Sequence, residues 1–226
     1  PDNLDAKIQK IKVTAAGPEE ILANVEQLAK QEERQLKKDG FFGPDYVGEF
    51  WGIFETRPYM RLLTLRATTL IDCGMWGRAV QQCELLLELC ENDNLGMRFL
   101  LMHLYAALEQ EEKAKKLLAR YKKDVSSQML LPMSVLHYKL GDYKKAQRYL
   151  DDVAENNKDL KKFVNAVCSD DLEQHYNEMS PWGYRPFHID ELLIEYEENS
   201  FLFDTVPSYF PWAKEYLKAK KQSAKK

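Results

Sequence analysis

Three alanines at nearly equal intervals constrain this chain more than any other feature. Ala79, Ala114 and Ala146 are 35 and 32 residues apart, and each begins the apolar stripe of a helix. Ala79, Val80, Cys83, Leu86 and Leu87 fall at offsets 0, 1, 4, 7 and 8, while Ala114, Leu117, Leu118 and Tyr121 fall at 0, 3, 4 and 7. Ala146, Tyr149, Leu150 and Val153 repeat the second spacing, which is one face of a helix. An earlier stripe precedes each: Met60, Leu63, Ala67, Leu70 and Ile71; Leu100, Leu101, Leu104, Tyr105 and Leu108; then, after Pro132, Val135, Leu136 and Leu140. Gly74 and Gly141 each stand five residues before their alanine, whereas no Gly precedes Ala114. The chain therefore reads as helix–turn–helix units with a period near 34. A small residue on the second helix lets it approach the first closely, and each pair leaves an apolar edge that only another can cover.

This pattern resembles the tetratricopeptide repeat (TPR), most closely over about 60–93, partly over about 127–159, and least between them. The consensus Trp and Gly/Tyr of the first helix are largely Leu and Ala here, and the usual Pro after the second helix is missing. The implied fold is all-α, a right-handed helical-repeat solenoid of about three helix pairs over 58–158. Residues 1–57 supply N-terminal helices: a short one among Ile8, Ile11 and Val13, then one opened by Gly17-Pro18-Glu19-Glu20 and ended by Lys37-Lys38-Asp39-Gly40. Seven aromatics lie between Phe41 and Tyr59, and Pro44 is expected to open a further helix there.

Eleven of the 26 aromatics fall between Tyr176 and Tyr216, in pieces cut by Pro181, Pro186, Pro207 and Pro211. Residues 159–213 thus form either an aromatic cap over the open end of the stack or a partner-binding surface, since Trp and Tyr are favoured anchors. Residues 214–226 are a basic tail of net charge +5, which leaves −9 for residues 1–213. A solvated helix end suits the tail, with a tether to an anionic surface as the alternative. An acidic body argues against general nucleic-acid binding.

No apolar run approaches the roughly 18 residues of a membrane span, and the first 20 residues lack a signal-peptide core. Cys73, Cys83, Cys90 and Cys168 sit among Leu and Val without C-x-x-C spacing, as reduced buried thiols of a cytoplasmic protein do. The chain begins at Pro1 rather than Met, as a piece of a longer protein would. Phosphate-loop, dinucleotide, zincin and serine-hydrolase signatures do not occur. Gly40, Gly43 and Gly48 have the spacing of a loop, and Asn92-Asp93-Asn94 lacks the ligands of a calcium loop but suits a helix cap. His103 and His137, 34 apart, are expected to pack in neighbouring repeats. No catalytic residue, metal site or cofactor is expected.

A further resemblance covers most of the chain. Glu55-Thr56-Arg57-Pro58-Tyr59-Met60-Arg61, Asn92-Asp93-Asn94-x-Gly96-x-Arg98-x-Leu100-Leu101 and Leu117-Leu118-Ala119-Arg120-Tyr121 are similar to uncharacterised bacterial TPR proteins. Tyr196-x-x-x-Ser200 and Trp212 also fit that group, itself distantly similar to a eukaryotic tumour-suppressor TPR family. Its members usually read Asn-Pro where this chain has Cys90-Glu91. That group has no agreed biochemical activity, and the resemblance implies a fold and an interaction role only.

In TPR-like stacks the first helix of each pair lines a concave face. That register places Arg61, Thr64, Thr68 and Asp72 on it, beside Arg98, His103 and Tyr105. Arginines and hydroxyls there suit an extended peptide or a carboxylate, through charge-assisted hydrogen bonds. The Lys/Asn carboxylate clamp of chaperone-binding relatives is not reproduced. A protein- or peptide-binding scaffold is thus the first expectation. The second is a homodimer formed through the aromatic C-terminal region, and the third a small-molecule binder or enzyme using the groove.

Overall fold

The computed structural model describes residues 3–179 and 185–223, the side chains of 221–223 excepted. Trp182 and Tyr184 of the aromatic segment, and residues 221–226 of the basic tail, lie outside the described side chains. Among the described residues the fold is all-helical, with only isolated bridges joining Gly48 and Glu49 to Cys90. The chain divides into two compact units at Leu101/Met102.

The first unit holds α1 (Leu4–Thr14), α2 (Pro18–Lys38), α3 (Arg57–Asp72) and α4 (Trp76–Leu89), and it ends inside α5 (Met97–Ala107). Packing of α3 against α2 and α4 buries Met60, Leu62, Leu63, Ala67 and Leu70, the predicted stripe and its neighbours. Glu26 of α2 binds both Arg66 of α3 and Arg78 of α4. Burial pushes its carboxyl up, but the two guanidiniums outweigh that and hold it below the usual range.

The helix expected from Pro44 does not form. Residues 39–56 are a chain of turns, with Gly40 and Gly48 at positive φ. Four of the ten glycines lie in this stretch, at 40, 43, 48 and 52, and each disfavours a helix by about 1 kcal/mol relative to Ala. The turns carry aromatic padding instead. Phe42 meets Phe50 and Tyr59 edge-on at 5.2 and 6.3 Å, and Phe50 is fully buried. Thr56 donates its hydroxyl to the Phe50 and Ile53 carbonyls, and the Phe50 N–H reaches the Leu89 carbonyl at 3.0 Å.

The second unit contains the rest of α5, then α6 (Glu111–Arg120), α7 (Ser127–Lys139), α8 (Tyr143–Asn156) and α9 (Leu160–Ser169). After the short α10 (Glu173–Asn177) come α11 (Ile189–Glu198), α12 (Ser200–Phe203) and α13 (Tyr209–Ser223). Helix α7 is buried over nearly its whole circumference, from Ser127 and Met129 through His137. A helix of that kind must be covered on several sides. One side is taken by α8, where the Ser134 hydroxyl donates to the Ala146 carbonyl at 2.7 Å. Another is taken by the C-terminal helices: α11 packs on α7 and α9, and α13 packs on α9. Tyr209 of α13 is fully buried and donates its hydroxyl to Ser134 at 2.8 Å.

The described C-terminal aromatics are mostly spent inside this unit. Phe163, Tyr196, Phe203 and Phe210 form one cluster with ring centroids 5.3 to 5.9 Å apart. Tyr138, Tyr209 and Trp212 form a second at 5.0 to 5.6 Å.

One turn recurs at all three expected reversals. At Gly74 (φ 70°) the glycine N–H bonds the Ile71 carbonyl and Met75 N–H bonds that of Leu70. At Gly141 (φ 75°) the partners are Tyr138 and His137. These are Schellman closures, in which the left-handed residue returns two N–H groups to the helix end. The middle reversal makes the same pair of bonds, to Ala106 and Tyr105, with Glu109 at φ 57° in the glycine's place. Ala79, Ala114 and Ala146, each five residues on, are all fully buried.

A non-glycine residue in the left-handed region is disfavoured by about 1–2 kcal/mol. Glu109→Gly is therefore expected to raise stability by about 1 kcal/mol, and Gly141→Val to lower it by about 1–2 kcal/mol. Urea unfolding followed by circular dichroism measures both.

Candidate functional site

Three of the seven expected groove residues converge in the first unit. Arg61, Thr64 and Thr68, one helical turn apart along α3, line an open cleft of about 320 Å³. Its far wall is α1, through Asp5, Ile8, Gln9 and Lys12, and Leu65 and Leu95 complete the lining. Nothing in the sequence marks α1 for this place, because the tie between Asp5 and Arg61 spans 56 positions.

That tie is a two-pronged ion pair. Arg61 donates from Nε and Nη2 to the two Asp5 carboxylate oxygens at 2.7 and 2.6 Å. Fork-to-fork geometry of this kind is the strongest way a guanidinium holds a carboxylate. The hydrogen bonds from Arg61 keep the Asp5 carboxyl below its usual range, and the same bonds raise the Arg61 guanidinium. Both side chains are about two-fifths exposed, at 41% and 42%, so solvent screens the pair to about 0.2–1 kcal/mol. The hydroxyls of Thr64 and Thr68 donate to the Met60 and Leu65 carbonyls of their own helix. They offer methyl groups and acceptor lone pairs to the cleft, leaving Arg61 and Lys12 as its positive groups.

The remaining expected residues are not among those that line the cleft. Asp72, at the end of α3, is exposed, with its carboxyl raised by partial desolvation. Arg98 donates to Asp93 at 2.9 Å, and its guanidinium lies 4.0 Å from the Phe99 ring centre. Asp93 also caps α5, accepting from the Met97 and Arg98 N–H groups at 2.7 and 3.1 Å, as the Asn-Asp-Asn run suggested.

His103 and Tyr105 belong to the second unit and are buried. His103 Nε2 lies 3.1 Å from Glu195 Oε1 of α11, with both side chains fully enclosed. Burial pushes the Glu195 carboxyl up, against the hydrogen bond with His103. Four residues earlier, Glu191 accepts from both the N–H and the hydroxyl of Ser127 at 2.8 Å, capping α7 from another helix. Asp190 holds Arg185 through both carboxylate oxygens at 2.8 and 3.0 Å. Glu191 and Glu195 thus tie α11 to Ser127 and His103, while Asp190 holds the segment leading into it, and no feature of the sequence marks these three residues.

His137 does not pair with His103. Its ring is fully buried and stacked 5.4 Å from Tyr149, nearly parallel at 4°. Neither ring nitrogen has a hydrogen-bond partner, and the Glu111 carboxylate lies 3.9 Å from Nδ1. Desolvation pulls its pKa below the ordinary 6.5.

Among the described residues no three His, Cys, Asp or Glu side chains converge as metal ligands would, and the four cysteines are free thiols. Burial raises the Cys83 thiol to about 12. No described helix is long and apolar enough to cross a membrane. No protein-family model, curated protein or solved structure matches the chain.

The buried imidazole carries a pH dependence. An unfolded chain takes up this proton as pH falls past 6.5, whereas the folded chain resists until its lower pKa is reached. Stability from a neutral His137 is therefore full above 6.5 and is lost as pH falls toward the folded value. His137→Phe keeps the stack on Tyr149 and removes the titration. Its urea midpoint is expected to fall less than that of the wild type between pH 7.5 and pH 5.

Proposed function

We propose that this chain is a TPR-like, right-handed stack of three helix pairs whose C-terminal helices cover one end. In this reading it works in the cytoplasm as a non-enzymatic scaffold for a protein or peptide partner. The architecture is supported by the recurrence of one left-handed turn and one buried alanine at intervals of 35 and 32 residues. The observation that carries the function is Arg61: its guanidinium lies at an open cleft and already grips a carboxylate with both prongs. An acidic side chain on a partner suits the same fork, with Lys12 adding a second positive charge and Leu65 and Leu95 supplying apolar contact. The original seven-residue groove contracts to Arg61, Thr64 and Thr68, because His103 and Tyr105 are enclosed in the second unit.

The second reading, self-association through the C-terminal region, rests on one patch. Leu140 and Tyr143 are exposed, with Tyr143 6.2 Å from Trp212. Light scattering tests it directly, since a concentration-independent mass of 26.4 kDa excludes a stable dimer.

The cleft reading is tested by filling the cleft. Thr64→Arg/Thr68→Arg and wild-type protein are used in parallel to capture partners from a lysate of the source organism. At least one partner retained by wild type is expected to fall by tenfold or more with the variant. Undiminished recovery of every partner, with helical circular dichroism unchanged, overturns it.

A further inference from the structure

The cleft beside Arg61 is walled by a helix that is poorly fastened to it. Of α1, Ile8 alone is buried, and Val13 near its end is 82% exposed. A second open cleft, of about 230 Å³, flanks α1 on its α2 side between Lys7, Lys10, Ile11 and residues Asn24 to Gln31. The helix is therefore undercut on both flanks. At 11 residues it is also too short to persist as a helix once undocked.

The start of α2 does not depend on it. Pro18 occupies the first turn, and Glu20 reaches back to accept the Ala16 N–H at 2.8 Å. Helix α2 buries its own stripe, Leu22, Val25, Leu28, Ala29 and Leu36. Releasing α1 thus breaks the Asp5–Arg61 fork and withdraws Ile8 while α2 keeps its N-terminal bonds.

We infer that α1 is a resident, displaceable occupant of the Arg61 site, and that the site's partner is a helix presenting a carboxylate and, three residues on, a branched aliphatic side chain. Asp5 and Ile8 are that pair in this chain. The site is closed in the resting protein because its own α1 acts at the high effective concentration of a tethered ligand. This inference rests on the cleft reading above and adds to it the partner's chemistry and the means of regulation.

The test uses the full chain and a labelled synthetic peptide of residues 3–16. Asp5→Lys/Ile8→Glu repels the tethered helix and opens the site. The opened chain is expected to bind the peptide at least tenfold more tightly than wild type does. A peptide carrying Asp5→Lys should fail on the opened chain and bind a chain carrying Ile8→Glu/Arg61→Glu, whose own Asp5 is repelled from the site. Equal binding by wild-type and opened chains, or indifference to the charge exchange, overturns the inference.

Hydrogen exchange on unmodified protein gives an answer even if the opened chain misfolds. The α1 amides should exchange at least tenfold faster than the buried stretch of α2; exchange of α1, α2 and α3 as one unit overturns the inference. If filling the cleft abolishes partner capture but opening α1 does not increase it, the cleft reading stands and the displaceable helix fails. If the peptide binds the opened chain yet filling the cleft costs no partner, the converse holds.

Discussion

The pairs α3/α4 and α7/α8 depend on reversing the chain within three residues. Helices of 10 to 16 residues are marginal alone, so each must be brought back against a neighbour before it contributes stability. The left-handed closing residue does this by satisfying two carbonyls of the finished helix and aiming the next one back. A buried alanine then follows at a fixed distance, at the place where bulk would hold two helices apart. Turn and alanine work as one device. The turn sets the return path and the alanine makes close return possible.

The device also shows what a sequence exposes and what it conceals. Period and alanines were plain, and the three reversals fall where they placed them. The middle one lacks glycine, but the backbone requires only a left-handed residue, and Glu109 supplies it. The stretch from Phe41 to Phe54 misled in the opposite way. Pro44 suggested the start of a helix, while Gly43, Gly48 and Gly52, equally visible, argued for turns. The cleft was legible by half: helical spacing grouped Arg61, Thr64 and Thr68, but the opposing Asp5 lies 56 positions away. Spacing along one helix carries no information about a partner that distant.

Buried charge follows the same logic in the second unit. Asp190, Glu191 and Glu195 are three acidic side chains of one helix, and all three are buried. Each finds a partner: a guanidinium, the uncapped start of α7, or an imidazole. A carboxylate is misplaced in a core unless its bonds are supplied there, so these residues admit few alternative seatings for α11. Apolar contacts between α11 and its neighbours add attraction without that selectivity.

The near-complete enclosure of α7 has a consequence for how the chain is made. Glu191, which caps its first turn, lies 64 residues beyond Ser127. At synthesis rates of about 5–20 residues per second, that interval takes roughly 3–13 s. During it, α7 can gain α8 but not α11 or α13, and the apolar side those helices later cover faces water. The growing chain therefore passes through a stage as long as many folding reactions with a largely apolar helix half dressed, which makes the helices from α11 to α13 guardians of solubility as much as parts of the fold.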